Sequence, residues 1–234
     1  MMTGVPSVLI TGANRGIGFG LVREYLSEGW QVHACCRRPA QALDLAGLSL
    51  RSPTLRIHRV DLAKAEQIIQ LGTALCGVSL QLLLNNAGSY GPRGTNLWTI
   101  SAAEWQSVLT TNVIGTALIT GVMLPLLSRD GGGMIVNISS WQGSLAANLS
   151  GRKYAYRTSK AGLNMLTRCL AADLREHRVG CVSIDPGWVK TRMGEPGAQI
   201  DAEESARRIR VLVARLTLTD SGSFLDSQGK AIPW

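Results

Sequence analysis

Tyr156 and Lys160 stand four residues apart in Tyr154-Ala-Tyr-Arg-Thr-Ser-Lys160, so on a helix they share one face. A free phenol has a pKa of about 10. Beside a fixed ammonium it becomes a group able to exchange a proton near neutral pH. Upstream, Thr11-Gly12-Ala13-Asn14-Arg15-Gly16-Ile17-Gly18 puts glycines where a strand would turn into a helix. Such a turn lays backbone N–H groups against a dinucleotide pyrophosphate. Asn112 and Ser140 lie between these segments and complete a set of four polar side chains. Proton exchange beside a bound dinucleotide is carbonyl chemistry run with a nicotinamide.

The elements that must position this set follow from the pattern of apolar runs. Ser7–Thr11, Gln31–Cys36, Leu55–Val60, Leu80–Leu84, Met134–Ile138, Gly180–Ile184 and Gly222–Asp226 read as strands, the apolar ones suited to a parallel sheet covered on both faces. Helical stretches fall between them, near 17–28, 40–47, 63–76, 102–128, 154–178 and 202–215. This alternation predicts one α/β Rossmann domain over 1–234, a doubly wound seven-stranded parallel sheet flanked by helices. The segments 86–100, 141–152 and 186–200 follow carboxyl ends of strands, where ligands bind in open α/β sheets, and are the expected pocket walls.

Gly12 permits the tight turn, Gly16 a close approach of backbone to phosphate, and Gly18 close packing of helix on sheet. The end of the second strand selects the cofactor. An acid there would bind a ribose 2′-hydroxyl and repel a 2′-phosphate. The chain has Cys35-Cys36-Arg37-Arg38 instead, with Arg15 nearby. Guanidinium forks match phosphate oxygens, so NADP(H) is expected over NAD(H). Asp61-Leu62 follows the third strand, where Asp61 either meets the adenine amino group or caps the following helix. Asn85-Asn86-Ala87-Gly88 follows the fourth, its small residues allowing backbone to lie against a ribose.

These motifs, with Pro186-Gly187, occur in the order seen in the short-chain dehydrogenase/reductase family, which the chain resembles along essentially its whole length. Tyr154-Ala-Tyr-Arg-Thr-Ser-Lys-Ala-Gly-Leu-Asn, Pro186-Gly-Trp-Val-Lys-Thr-Arg-Met-Gly and the ending Gly-Lys-Ala-Ile-Pro-Trp resemble its small carbonyl-reductase-like and C-factor-like members. The resemblance implies that Tyr156 protonates the carbonyl oxygen as hydride arrives. Lys160 would tune the phenol and hold the nicotinamide ribose, and Ser140 would donate to the carbonyl oxygen. Asn112 would sit on a bent stretch of a long helix and hold a proton-relaying water. It also implies that Pro186, Gly187, Val189 and Thr191 face the nicotinamide. Ser140 is separated from Tyr156 by a few residues more than is commonest in the family, which leaves Ser139 and Ser144 as rivals.

Tyr90, Trp98, Trp141, Leu145, Trp188 and Met193 suggest an apolar substrate pocket, and Arg93, Arg152, Arg157 and Arg192 are available to an anion. The implied activity is NADPH-dependent reduction of an aldehyde or ketone, reversible as an alcohol dehydrogenase. The alternative is a C-factor-like, cofactor-binding signalling protein with little turnover.

Composition bounds the rest. The chain has 234 residues, 45% hydrophobic, enough for one substantial core. A net charge of +8 is scattered rather than clustered and comes without a recognition motif, which argues against nucleic acid. His33, His58 and His177 lie far apart in sequence and no CxxC occurs, so no metal is expected. Unpaired cysteines and a first strand that begins almost at once point to a cytoplasmic protein without a signal peptide. From Glu104 to Arg129 no charge intervenes, yet Asn112, Thr116 and Thr120 would be costly in lipid. A helix buried against the sheet or a neighbouring copy is expected, and with it a homodimer or homotetramer, since monomeric carbonyl reductases of the family carry a much larger insertion before the tyrosine.

Overall fold

The computed structural model describes residues 4–129, 131–194 and 197–234. Seven parallel strands form one sheet in the order β3-β2-β1-β4-β5-β6-β7. They are β1 Ser7–Thr11, β2 Gln31–Cys36, β3 Leu55–Arg59, β4 Leu82–Asn85, β5 Gly133–Ile138, β6 Val179–Asp185 and β7 Phe224–Asp226. The order reverses direction between β1 and β4, which opens a crevice at their carboxyl ends.

The helices are α1 Gly16–Ser27, α2 Leu43–Ser49, α3 Ala65–Ala74, α4 Ala102–Leu109, α5 Gly115–Leu127, α6 Tyr154–Asp173 and α7 Ala202–Val213. The pleat divides the core. Val8, Ile10, Leu82, Leu84, Val136, Ile138, Val182 and Ile184 pack on one face, with Leu21, Val22, Leu45 and Ile209 from α1, α2 and α7. Leu9, Leu83, Ile135 and Cys181 point the other way, to Ile68, Leu71, Ile119, Met123 and Leu127 from α3 and α5.

Several boundaries differ from the sequence reading. A 3₁₀ turn at Pro39–Gln41 delays α2 to Leu43, because proline opens a turn but cannot extend a preceding one. The fourth strand starts at Leu82 rather than Leu80 and runs on to Asn85, so the first asparagine of the Asn-Asn pair is a buried strand residue. α6 stops at Asp173, short of 178, and Arg178 takes a left-handed φ of 56° as the chain turns into β6. The expected single helix over 102–128 is divided by a π turn at Thr110–Ile114.

A capping box starts α4: Ser101 Oγ accepts from Glu104 N while the Glu104 carboxylate accepts from Ser101 N. From Ala102 to Leu127 the helical stretch is long and apolar enough to cross a bilayer. Here it lies on the sheet instead, with Ile119, Met123 and Leu127 fully buried. Polar side chains fix its register. Asn85 Nδ2 donates to Thr120 Oγ1 at 3.1 Å and to Asn137 Oδ1 at 2.9 Å. Asn137 Nδ2 donates to Thr167 Oγ1 at 2.8 Å, and Thr167 meets Ser183 Oγ at 2.8 Å. A buried, hydrogen-bonded line therefore runs from α5 through β4 and β5 to α6 and β6.

The start of α5 passes so close to the segment after β3 that a Cβ on Gly115 would lie 2.3 Å from Leu62 O and 2.7 Å from Leu62 Cβ. Neither atom can rotate away. Gly115→Ala should therefore cost about 1–3 kcal/mol through overpacking, seen as a lower urea midpoint at an unchanged m-value. A wild-type midpoint would mean that α5 can shift without loss.

Candidate active site

The glycine loop is shaped by contacts that leave no room for side chains. Gly12 has φ 64°, and a Cβ on it would stand 2.8 Å from Ala87 Cα. A Cβ on Gly18 would be 2.3 Å from Gly12 O and 2.5 Å from Asn86 Nδ2. Gly16, with φ 54°, faces the Thr191 methyl across 3.3 Å from its would-be Cβ. Thr11 and Asn86 lock the ends of β1 and β4 together: Asn86 N and Ala87 N both donate to Thr11 Oγ1 at 3.0 Å, and Asn86 Nδ2 donates to Thr11 O at 2.9 Å. Arg15, the residue before α1, is extended and gives no side-chain cap, and no acid occupies the first turn. The N-terminal N–H groups of α1 thus meet the crevice without a carboxylate of their own, a cradle that fits a pyrophosphate. Asn14 lies half-buried in this loop, and Ile17 reaches the cleft described below.

Arg37 and Arg38 extend into solvent from the end of β2, Arg38 with only a 3.4 Å contact to Gln41 Oε1. Their guanidiniums are available beside the crevice. Asp61 Oδ1 accepts from Ala63 N at 3.0 Å, so it closes the turn before α3 while Lys64 is the residue that flanks the helix. The Leu62 side chain belongs to the core, leaving only its main chain for a ligand.

Asn112 lies in the π turn and is buried. Its Oδ1 accepts from Ser89 N at 2.7 Å, and its Nδ2 donates to Ser89 O at 2.8 Å and Ser159 Oγ at 2.9 Å. The side chain is spent on joining the Gly88–Ser89 segment to α6, so any water it governs would have to be held by its main chain. The π turn interrupts the helical ladder at that residue, as such turns often do at functional sites.

α6 is entered through consecutive left-handed residues, Gly151, Arg152 and Lys153, with φ of 61°, 61° and 53°. For residues with a Cβ that conformation costs roughly 1–2 kcal/mol each, and the reversal it produces aims Tyr156 at the cleft. Tyr156 is buried and hydrogen-bonded to the Ser140 side chain. Ser139 Oγ instead donates to Asn164 Oδ1 at 2.6 Å, and Ser144 Oγ to Pro233 O at 2.6 Å. Of the serine candidates, only Ser140 meets the phenol. Lys160 Nζ donates to Ile138 O at 2.7 Å and sits 5.7 Å from the Tyr156 ring centroid.

The electrostatics correct one expectation. Burial pushes the Tyr156 phenol well above its ordinary range, opposed by the Ser140 hydrogen bond and reinforced by Asp185 and Tyr90. Burial therefore outweighs the anticipated lowering by a neighbouring cation. Burial brings Lys160 itself down to about 8, with Asp185 pulling it back up. The ligand-free pair is thus a firmly protonated phenol beside an ammonium close to losing its proton.

Lys160 stays buried beside the Tyr156 ring, while Tyr156, Ser140 and Asp185 line an open cleft with about 620 Å³ of free space, part of it continuous with solvent. Tyr90, Trp141, Trp188 and Met193 reach it, as do Pro186, Gly187, Val189 and Thr191. The Tyr90 ring lies 4.7 Å from that of Tyr156. Trp98 and Leu145 do not reach the cleft, contrary to expectation. Trp98 is 86% exposed on a turn closed by its N–H to Asn96 Oδ1, and Leu145 is 79% exposed because its N–H is drawn to Trp234 O. Arg93 donates to the carbonyls of Arg192, Met193 and Gly194 at 3.0–3.3 Å, clasping one loop to the other. Arg157 lies over Trp141 and donates to Ser150, while Arg152 and Arg192 face solvent.

Two features escaped the sequence. Asp185 falls between a strand read to Ile184 and a loop read from Pro186, yet its buried carboxylate lines the cleft. A carboxylate at the end of a parallel strand was the available signal. His33 and His58, distant in sequence, meet across β2 and β3 with Nδ1 and Nε2 3.1 Å apart. No cluster of three metal-ligand side chains occurs among the described residues.

A fold with reversed strand order and a Ser–Tyr–Lys constellation beside a glycine cradle now stands against known proteins. The family model for short chain dehydrogenases matches residues 6–201. The chain belongs to the short-chain dehydrogenase family of oxidoreductases. It is 33% identical to the carbonyl reductase Sniffer of D. melanogaster, with a TM-score of 0.94 over 99% of this chain and 100% of that one. An NADPH-bound carbonyl reductase from chicken fatty liver is 37% identical, with a TM-score of 0.90 over 98% of this chain and 99% of the other. The C-signal protein of Myxococcus xanthus is 38% identical over 166 residues, 69% of this chain and 97% of that protein.

Proposed function

We propose that this chain is a cytoplasmic, NADPH-dependent reductase of aldehydes or ketones, reversible as an alcohol dehydrogenase. The observation that carries the reading is the meeting of the Ser140 hydroxyl and the Tyr156 phenol at one cleft, with the buried Lys160 amine beside the Tyr156 ring and a glycine cradle nearby. A reduced nicotinamide, when bound, supplies the hydride. Tyr156, held protonated by burial, gives its proton to the carbonyl oxygen. Ser140 donates a hydrogen bond to the same oxygen as charge develops there. Lys160 holds positive charge next to the phenol and would hold the nicotinamide ribose. The main chain at Pro186–Val189 and the Thr191 hydroxyl, which line the cleft, would hold the nicotinamide ring.

Arg37, Arg38 and Arg15 are the groups for the 2′-phosphate. The exposed guanidiniums at the end of β2 and the NADPH bound to the chicken relative both support that choice. Tyr90, Trp141, Trp188 and Met193 favour a substrate with apolar bulk next to its carbonyl. Identity to C-signal supports a second reading, a signalling protein that binds the cofactor with little turnover. A protein of that kind could dispense with the assembled Ser140–Tyr156–Lys160 set, which this chain retains.

The Tyr156→Phe substitution tests the mechanism. NADPH should still bind, while carbonyl reduction across a substrate panel falls by at least about a hundredfold. Near-normal turnover would remove Tyr156 from the mechanism, and a wild-type chain that binds NADPH but reduces nothing would favour the signalling reading.

Cofactor choice is tested by Arg37→Asp, which places a negative charge where the 2′-phosphate would lie. The ratio of kcat/KM with NADPH to that with NADH should fall. A wild-type preference for NADH would overturn the assignment at once.

Assembly is part of the same reading. Ile114, Leu118 and Met165 leave apolar surface exposed on α5, α6 and the π turn between α4 and α5, a patch suited to a second copy of the chain. Light scattering at micromolar concentration should give a dimer or tetramer, and the monomer mass would count against it.

A further inference from the structure

Among the described residues, Asp185 is the one ionised-type side chain lining the cleft that the mechanism leaves unused. It ends β6, is buried, and accepts two backbone N–H groups with its two oxygens: Trp141 N on Oδ1 at 2.9 Å and Gly187 N on Oδ2 at 3.3 Å. Each donor begins a wall of the site. Trp141 opens the turn that follows Ser140, whose own Oγ accepts from Gln142 N at 3.2 Å. Gly187, with φ 84°, opens the segment leading to Val189 and Thr191.

We infer that Asp185 is a positioning residue for the reduction: its carboxylate ties the Ser140 turn to the Pro186–Gly187 wall and sets a negative charge one residue past Ile184, the strand partner of the Ile138 whose carbonyl holds Lys160 Nζ. The inference rests on the proposed reductase chemistry for its effect on rate, but not for its effect on Lys160.

Two donors on two oxygens suit a group that only accepts, which is the ionised carboxylate. A neutral carboxamide could accept at one oxygen and would face the other N–H with its own NH₂. The charged and titratable groups around Asp185 are Tyr156 and Lys160 from α6, Tyr90 from the 86–100 loop beside Tyr156, and Asp226 from β7. On balance the Asp185 carboxyl is raised: burial pushes it up, the Trp141 and Gly187 N–H donors lower it, Asp226 raises it, and Lys160 lowers it least. In return Asp185 opposes the burial that draws Lys160 down to about 8, and it adds to the burial that holds Tyr156 protonated. Removing its charge therefore moves both groups in one direction: each loses its proton at lower pH.

The experiment compares the wild type with Asp185→Asn, and with Asp185→Ser in case the carboxamide prevents folding. Lysine labelled with ¹³C at Cε gives the Lys160 titration directly in the ligand-free protein, with Lys160→Arg to assign its signal. In the variants the Lys160 midpoint should fall by about one pH unit, and the alkaline limb of carbonyl reduction should move down with it. The kcat should fall while KM for NADPH changes little. A Lys160 midpoint equal to wild type overturns the inference, whatever the rates. A lowered Lys160 midpoint in a protein whose wild type reduces no carbonyl would support the electrostatic role and overturn the reductase reading instead.

Discussion

Everything at this site depends on burying an ammonium. Lys160 is 4% exposed, and an unpaired charge in that position would be prohibitive. The structure meets the demand with a carbonyl, a ring and a carboxylate: Ile138 O accepts from Nζ, the Tyr156 ring lies alongside, and Asp185 acts on it through space. Room is made by glycines. A Cβ on Gly143 would sit 2.8 Å from the Lys160 carbonyl carbon, and one on Gly88 3.8 Å from Nζ. These contacts draw the end of β5, the turn after Ser140 and the segment after β4 onto the same residue. Charge burial and loop placement are here one constraint.

The polar line beneath explains how α6 can carry Ser159, Lys160, Asn164 and Thr167 on its inner face. Buried polar groups cost stability unless partnered. Each finds a partner fixed by backbone: Ser159 donates to Tyr156 O and accepts from Asn112, Asn164 accepts from Ser139, and Thr167 bridges Asn137 and Ser183. A helix held by such directional bonds cannot slide by a turn without stranding several of them. That rigidity delivers the Tyr156 hydroxyl to Ser140 although α6 begins after a strained left-handed entry.

Much of this was legible in the residues. Strand alternation, the glycine loop and the four-residue step from Tyr156 to Lys160 are local patterns, and local patterns survive folding. What escaped depends on distance. The bend at Asn112 was expected only through the family resemblance: the π turn at Thr110–Ile114 has no composition signal, and within it Asn112 reaches Ser89 and Ser159 at once. The fate of Trp98 and Leu145 was hidden for the opposite reason. Apolar residues on loops resemble pocket walls, but one turn closes on Asn96 and the other is drawn to Trp234 O. Asp185 went unread because its partners, Trp141 and Gly187, are backbone amides that no side-chain pattern reveals.

The length of the stretch between Ser140 and Tyr156, which made the serine assignment ambiguous in sequence, has a spatial answer. The chain closes immediately after Ser140: Gly143 N donates to Ser140 O at 2.8 Å and Ser144 N to Trp141 O at 3.0 Å. Gly143 then rests on the main chain of Lys160. Ser144 turns to the carbonyls of Pro233 and Trp234, and the chain runs exposed through much of 145–150, with Leu149 at 95% exposure. That stretch lies between two fixed points, the 3₁₀ turn at Trp141–Gly143 and the left-handed entry to α6. Its length can change while the Ser140–Tyr156 geometry stays fixed by β5, β6 and α6. The part of this loop that reaches the cleft, Ser139–Gln142, is thereby kept apart from the exposed stretch that follows it.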